Sequence, residues 1–372
     1  MTTTSKFTTL RAIEILRWGD VRHWNDLYSM WLRTHTGKFN LVNSNLAGTN
    51  LAGVTLCGVD LTGSNFSNAD LTGANFSYCE LENINFENAN LNNAKFTGSK
   101  LNNISFKKAL LNHSNFSGSN ITNSNFDFSE LKHSKMNLNN LKQIHFKNID
   151  ALGIDLNFSF INNSDFQDVS FANSNLSGCK FNSCDIEKVD LSISDLSFST
   201  FKRTPIKETN FSQSNLYNSN FAGCDISYSD FILVNAENID LSLCNLVFND
   251  FTCANMLTSN LQGAFINCCL FINSDLNDVN LRQMYSHNCD FTGANLNKIQ
   301  GTSYTHDLIS ELLKRNANDE IEKLKVAGLV SINHQWNWNN FKNYVQSEND
   351  LIKNWIKSSL AEYPEIKNKV FD

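Results

Sequence analysis

The stretch NADLTGANFS, residues 68–77, shows the pattern that decides the fold. A large apolar residue, first Leu71 and then Phe76, stands at the centre of each pentapeptide, with small or polar residues on both sides. From residue 41 to residue 296 this spacing continues through about fifty consecutive pentapeptides without an insertion or a deletion. The central residue departs from Leu, Phe, Ile or Met only at Ala151, Ala236 and Ser286.

A five-residue spacing fits neither a helix nor a straight strand. Five residues rotate about 500° on a helix, so that successive large residues would share no face. On a strand, an odd spacing sends Leu71 and Phe76 to opposite sides. Both difficulties disappear if the chain turns a corner once per pentapeptide. Four such sides close a coil of about twenty residues, and about 13 coils stacked about 4.8 Å apart would form a rod about 60 Å long.

The corner arrangement predicts a second inward position two residues before each central residue. That position should be small because it shares a narrow interior, and it holds mostly Ala, Ser and Cys. Glycines that follow the central residue, such as Gly53 and Gly73, are candidate turn positions. We expect one column of stacked rings: Phe66, Phe86, Phe106, Phe126, Phe146 and Phe166. Seven of the ten cysteines are predicted to point inward: Cys79, Cys179, Cys184, Cys224, Cys244, Cys269 and Cys289.

The pattern A(D/N)LxG, as in ADLTG at residues 69–73, resembles the pentapeptide repeat family. The resemblance covers residues 41–296 and implies an all-β solenoid, a right-handed quadrilateral β-helix. The members of this family have scattered functions, so the resemblance implies a fold rather than an activity.

Three regions are predicted along the chain. Residues 1–38 form an N-terminal helical cap, residues 39–300 form the β-helix, and residues 301–372 form a small C-terminal helical domain. Over residues 8–33 the predicted apolar face of the cap comprises Leu10, Ile13, Leu16, Val21, Trp24, Leu27, Trp31 and Leu32. In the C-terminal region the candidate core comprises Trp336, Trp338, Phe341, Tyr344 and Trp355.

Composition excludes several classes of function. The net charge is −7, and residues 41–300 alone carry 15 basic and 24 acidic residues; direct nucleic-acid binding usually needs a basic stripe. No apolar run reaches the about 20 residues of a membrane span, and we see no secretory signal. Buried thiols favour a reducing, cytoplasmic setting, with leaderless secretion as an effector left open.

No motif points to catalysis or to a cofactor. The chain has no Walker loop, nucleotide fingerprint, nucleophile elbow or HExxH helix. His113 and His133 should stack on successive coils, but two imidazoles are too few for a zinc site. We therefore predict a protein that is not an enzyme, with no cofactor and no metal, although this is uncertain for the C-terminal region.

An acidic column stands out among the outward positions. It consists of the residue before the central one on one face: Glu130, Asp150, Asp190, Asp230, Asp250 and Asp290. Such a column can imitate a nucleic-acid backbone for a basic protein groove. One branch of the family contains DNA mimics that bind gyrase, but this chain differs in its unbroken repeats and its C-terminal region. The alternative is that these residues only form turn hydrogen bonds.

Outward positions turn apolar towards the end of the repeats, where a docking patch is predicted. Its members are Tyr228, Ile232, Leu233, Val247, Phe248, Phe265, Leu270 and Tyr285. The C-terminal helices, a second copy in a homodimer or an outside partner are its alternative occupants.

The leading hypothesis is a non-enzymatic, rod-shaped scaffold of bacterial type that binds a protein of unknown identity. The first alternative is a DNA mimic that binds gyrase, topoisomerase or another DNA-handling enzyme through the acidic column. The second is an effector or toxin-like protein that acts through its C-terminal domain.

Overall fold

The computed structural model describes residues 8–300, together with Asp307 and Asn354. Contacts divide the chain into two compact units, residues 1–195 and residues 196–372. The predicted C-terminal helical domain, with its aromatic core, lies outside the described residues.

Two helices precede the repeats, α1 (Thr9–Arg17) and α2 (Val21–Thr34). The sequence predicts one helical segment over residues 8–33, and the structure divides it at Gly19, whose φ of 72° is left-handed. A left-handed glycine commonly ends a helix. The predicted apolar face is wrong at Leu10 and Leu32, whose side chains are exposed because they lie off the helix faces that carry the buried residues. The buried residues of the two helices are Ala12, Ile15, Leu16, Trp24 and Tyr28.

The helices supply hydrogen bonds that a preceding turn of the solenoid would otherwise supply. Trp24 Nε1 donates to the Thr55 carbonyl at 2.8 Å, and the Tyr28 hydroxyl donates to the Cys57 carbonyl at 2.6 Å. Asn25 Oδ1 accepts the Thr55 N–H at 2.8 Å. On later turns, backbone groups of the neighbouring turn make the equivalent bonds. The helices therefore close an edge that could otherwise pair with another chain, and an N-terminal helical cap is confirmed.

Short parallel strands form the sides of the first unit. Its strands are β1 (Phe39–Asn40), β2 (Val59–Asp60), β3 (Glu80–Glu82), β4 (Lys100–Asn102), β5 (Asn120–Thr122), β6 (Asn140–Lys142), β7 (His145–Asp150), β8 (Phe160–Asn162), β9 (Asp165–Ser170), β10 (Lys180–Asn182) and β11 (Asp185–Asp190). One sheet has the order β3-β4-β5-β6-β8-β10 and another the order β7-β9-β11, all with parallel pairing.

The second unit repeats this construction. Its strands are β12 (Thr200–Lys202), β13 (Ile206–Lys207), β14 (Asp225–Ser227), β15 (Asn245–Val247), β16 (Phe265–Asn267) and β17 (Tyr285–His287). Strands β13 to β17 pair in chain order and in parallel. In both units every bridge joins residues twenty positions apart, which is the predicted length of one turn. The prediction of an all-β parallel solenoid is confirmed, with about 12 turns against the about 13 predicted.

The corners lie two residues after each central residue. Almost all of these positions have a positive φ, at glycines and asparagines and also at larger residues such as Phe158 (53°) and Ile193 (58°). A left-handed residue every five positions resets the alternation of the strand, so that each central residue faces inward.

Stacked rings fill the interior of each unit. In the first unit, the predicted column from Phe66 to Phe166 is confirmed, with ring centroids 4.7–5.3 Å apart on successive turns. A second column, Phe76, Phe96 and Phe116, meets the first edge to face. In the second unit a column runs from Phe211 to Phe291.

The second inward position is small and buried, as predicted. Six of the seven cysteines predicted there are buried, and Cys289 is half-buried. Burial raises the pKa of these thiols, for example to about 12 for Cys79 and about 11 for Cys224. They therefore remain protonated at neutral pH.

Candidate interaction surfaces

The described interior consists of apolar and small polar side chains. In the part of the chain that the structure describes, no group of three or more His, Cys, Asp and Glu side chains could hold a metal ion. His113 and His133 stack with centroids 5.4 Å apart, as the twenty-residue spacing predicts. Within residues 8–300, no helix has both the length and the apolar character that a membrane span requires. Candidate functional groups are therefore outward side chains.

In the first unit the acidic column contains three of the predicted residues. Glu130 and Asp150 are bridge partners on successive turns. Asn112 donates to Glu130 Oε2 at 3.0 Å, and Lys132 Nζ lies 2.8 Å from Asp150 Oδ2. The hydrogen bond to Asp150 raises the pKa of Lys132. The carboxylate of Asp190 accepts the backbone N–H two residues further on at 3.0 Å.

In the second unit the column contains Asp230, Asp250 and Asp290. Asp230 and Asp250 are bridge partners, and Leu270 interrupts the column before Asp290. Burial and, secondly, the neighbouring Asp250 carboxylate raise the pKa of Asp230. Asp250 and Asp290 each accept the backbone N–H two residues on, at 2.8 Å.

These contacts bear on the two interpretations of the acidic column, as a mimic of a nucleic-acid backbone or as a set of turn hydrogen bonds. Asp190, Asp250 and Asp290 form the turn hydrogen bonds that the structural interpretation predicts. Such a bond uses one carboxylate oxygen. Asp230 and Asp250 differ from the first-unit pair, because no lysine, arginine or histidine occurs between residues 209 and 281. That stretch contains seven acidic residues: Asp225, Asp230, Glu237, Asp240, Asp250, Asp275 and Asp278.

The predicted docking patch lies on two sides of the second unit. Tyr228 and Phe248 occupy one corner on successive turns and stack with centroids 5.1 Å apart. Phe265 and Tyr285, on the strands that lead to that corner, stack at 5.0 Å. Val247 is half-buried on the same strands. The other three members, Ile232, Leu233 and Leu270, lie on the next side of the turn, after that corner.

The Tyr228–Phe248 stack, called here the aromatic ridge, borders the acidic pair. On each turn the aspartate follows the ridge residue by two positions, Asp230 after Tyr228 and Asp250 after Phe248. Both rings are about half exposed, at 55% and 48%. Exposed rings beside carboxylates suit lysine and arginine side chains, which interact with both. Sequence analysis found the two features separately and missed that they adjoin.

An ion-paired cluster and a hydrogen bond near the end of the repeats were not predicted. Glu80 lies between Lys38 and Lys100 and forms an ion pair with each. Hydrogen bonds to these lysines lower the pKa of Glu80. The Asp307 carboxylate accepts the Cys289 N–H at 3.1 Å. The two residues are eighteen positions apart, so the twenty-residue period does not predict this contact.

Comparison with solved structures finds matches that include two proteins named as pentapeptide repeat proteins. HetL from Nostoc sp. strain PCC 7120, a pentapeptide repeat protein involved in heterocyst differentiation regulation, is 15% identical over 76% of this chain and 97% of its own, with a TM-score of 0.16. Full-length QnrB1, a plasmid-mediated fluoroquinolone resistance protein, is 16% identical over 57% and 92%, with a TM-score of 0.16. Rfr23 from the cyanobacterium Cyanothece 51142 is 25% identical over 34% and 94%, with a TM-score of 0.16.

Sequence comparison gives the family. No curated protein matches the chain. The profile described as "Pentapeptide repeat region" matches residues 69–146 and 176–251. The profile described as "Pentapeptide repeats (8 copies)" matches residues 40–77 and 269–300. The matches together cover more than half of the chain, which therefore belongs to the pentapeptide repeat family.

Proposed function

We propose that this protein is a non-enzymatic scaffold whose second unit binds a protein partner with a basic surface. The observation that carries the proposal is the aromatic ridge beside the Asp230–Asp250 pair, in a stretch without lysine, arginine or histidine. A basic partner would neutralise the two carboxylates and place its cationic side chains over the rings.

The energetics of the acidic pair support this proposal. The pKa of Asp230 is raised by burial and by the neighbouring Asp250 carboxylate, so the ionised form is disfavoured in the folded protein. Two like charges in direct register reduce stability. A basic partner would remove this repulsion on binding.

The test is an affinity pulldown followed by direct binding measurements with any protein recovered. The double variant Asp230→Asn/Asp250→Asn should lose the partner, and binding by the wild-type chain should weaken as salt is raised. The matched control is Glu237→Gln/Asp278→Asn, which removes the same charge from a different side of the same unit. Equal loss of partner binding in both variants would show that only the net charge of the unit matters. Unchanged binding by Asp230→Asn/Asp250→Asn would refute the proposal.

A DNA mimic that binds a DNA-handling enzyme is the second candidate, and the same Asp230–Asp250 register favours it. The partner's identity separates the two. A mimic requires that double-stranded DNA compete for the captured protein, whereas a scaffold partner would remain bound in excess DNA. Homodimerisation and an effector role remain alternatives; the effector role depends on residues 301–372.

A further inference from the structure

One inward corner of the second unit carries a repeated hydrogen bond from backbone to side chain. The Thr209 N–H donates to Ser229 Oγ at 3.2 Å, and the Ser229 N–H donates to Asn249 Oδ1 at 3.0 Å. The Asn249 N–H then donates to Cys269 Sγ at 3.4 Å. In each case the acceptor lies twenty residues further on, one turn later along the chain.

At the end of the repeats, Asp307 takes the position of this acceptor. The Cys289 N–H donates to Asp307 Oδ2 at 3.1 Å. Asp307 lies eighteen residues further on, so it does not continue the five-residue spacing. Its carboxylate closes the series of hydrogen bonds in place of a further turn. A charged acceptor makes a stronger bond than a neutral one.

This contact fixes where Asp307 lies relative to the last described turn. Asp307 is only seven residues beyond Gln300 and rests at the corner that follows Tyr285 on the last turn. The stacked pair Phe265–Tyr285 is on the strands that lead to that corner, with exposures of 45% and 40%. Asp307 therefore contacts the chain four residues beyond Tyr285, near an apolar face of its own unit.

We infer that the segment after Asp307 docks on the Phe265–Tyr285 pair, with Asp307 as its anchor. Sixty-five residues follow Asp307, enough to cover a face of this size and return. They include aromatic residues suited to packing on exposed rings: Trp336, Trp338, Phe341, Tyr344 and Trp355. A tethered segment also has a high effective concentration, which favours it over a separate chain. This inference is independent of the proposed function, which uses the aromatic ridge.

The test is limited proteolysis of the full chain, with cleavage after residue 307 followed by mass spectrometry. Asp307→Ala and the double variant Phe265→Ser/Tyr285→Ser should each increase cleavage of the tail at least tenfold. The double variant Tyr228→Ser/Phe248→Ser is the matched control, because it removes a stacked pair of similar exposure from the aromatic ridge. It should leave cleavage at the wild-type rate.

Two results would overturn the inference. One is a wild-type tail that is cleaved as fast as in Phe265→Ser/Tyr285→Ser. The other is a change of oligomeric state in Phe265→Ser/Tyr285→Ser, measured by light scattering, without faster cleavage of the tail. That result would mean that a second copy of the chain occupies the Phe265–Tyr285 pair. Far-ultraviolet circular dichroism checks that each variant keeps its β-solenoid. We expect it to be kept, because the four aromatic residues that are exchanged lie on the surface.

Discussion

The ring of Phe158 lies over Gly178 of the next turn. A Cβ atom built at Gly178 would meet ring carbons of Phe158 at 2.6 Å, closer than real Cβ contacts. Both residues are at the same corner, and both have a positive φ. The same relationship holds for Tyr78 over Gly98, where the closest distance is 2.7 Å. A large corner side chain is thus accommodated by a glycine one turn later.

Gly178→Ala should destabilise the protein more than Gly118→Ala. Both glycines have a positive φ, but nothing lies within 4 Å of the Cβ position at Gly118. Each substitution costs about 1 kcal/mol of left-handed strain, and only Gly178→Ala must also displace a ring. Chemical denaturation measures the difference in unfolding free energy. In a Phe158→Ala background the two substitutions should lower the unfolding free energy equally. A difference that persists in that background would contradict the steric explanation.

Ile193→Asn should raise the stability of the first unit. Ile193 is a β-branched residue with a φ of 58°, and its side chain is 59% exposed. The left-handed conformation is unfavourable for such a residue and tolerated by asparagine, so we expect a gain of about 1 kcal/mol. The reciprocal control is Asn173→Ile at the same corner one turn earlier, which should lose a similar amount. A loss of stability in Ile193→Asn would show that the packing of the isoleucine side chain outweighs its backbone strain.

The cysteines should differ sharply in reactivity. Cys253 is exposed, whereas Cys79 and Cys179 are buried and burial raises the pKa of each to about 12. Because the thiolate is the reactive form, iodoacetamide at pH 8 should modify Cys253 in the native protein and the other two only after unfolding. Peptide mass spectrometry gives the site of modification. Equal rates in the native protein would refute the inward placement.

Stability should fall as pH rises above about 9. The unfolded chain begins to lose thiol protons near the ordinary value of 9.0, whereas folded Cys79 and Cys179 retain theirs up to a pKa of about 12. A raised folded pKa gives stability that is present below the unfolded pKa and lost above it. Urea unfolding at pH 8 and pH 10.5 measures the loss. The double variant Cys79→Ala/Cys179→Ala should lose less over this interval than the wild-type protein.

Asp230→Asn should stabilise the second unit at pH 7 and have little effect at pH 3. The pKa of Asp230 is raised by burial and by Asp250, so its contribution is favourable only below the unfolded pKa and is lost as pH rises. Removing the charge should gain up to about 1 kcal/mol, the size of a cross-strand pair. Asp278→Asn is the control at an exposed corner of the same unit and should be neutral. A destabilised Asp230→Asn at pH 7 would mean that the carboxylate supports the turn.

The five-residue spacing was sufficient to predict the inward column from Phe66 to Phe166 and the inward cysteines, because the turn length converts position in sequence directly into position in the coil. The break at Gly19 was not predicted, since glycine is also tolerated inside helices. The corner residues were predicted only in part. Residues such as Phe158 and Ile193 occupy a left-handed conformation against their own preference, because the neighbouring turns hold the backbone there.

The sequence by itself determined the repeat length, the inward positions and hence the solenoid, because each of these depends on a local period that recurs in every pentapeptide. Only the tertiary structure decided how outward side chains are oriented. It stacked the Tyr228 and Phe248 rings, which the twenty-residue period places at one corner but does not orient, and it brought Asp307 to the Cys289 N–H. The physical reason is that surface contacts depend on the direction of each side chain at a corner and on the path of the chain after the last turn. Neither quantity is periodic.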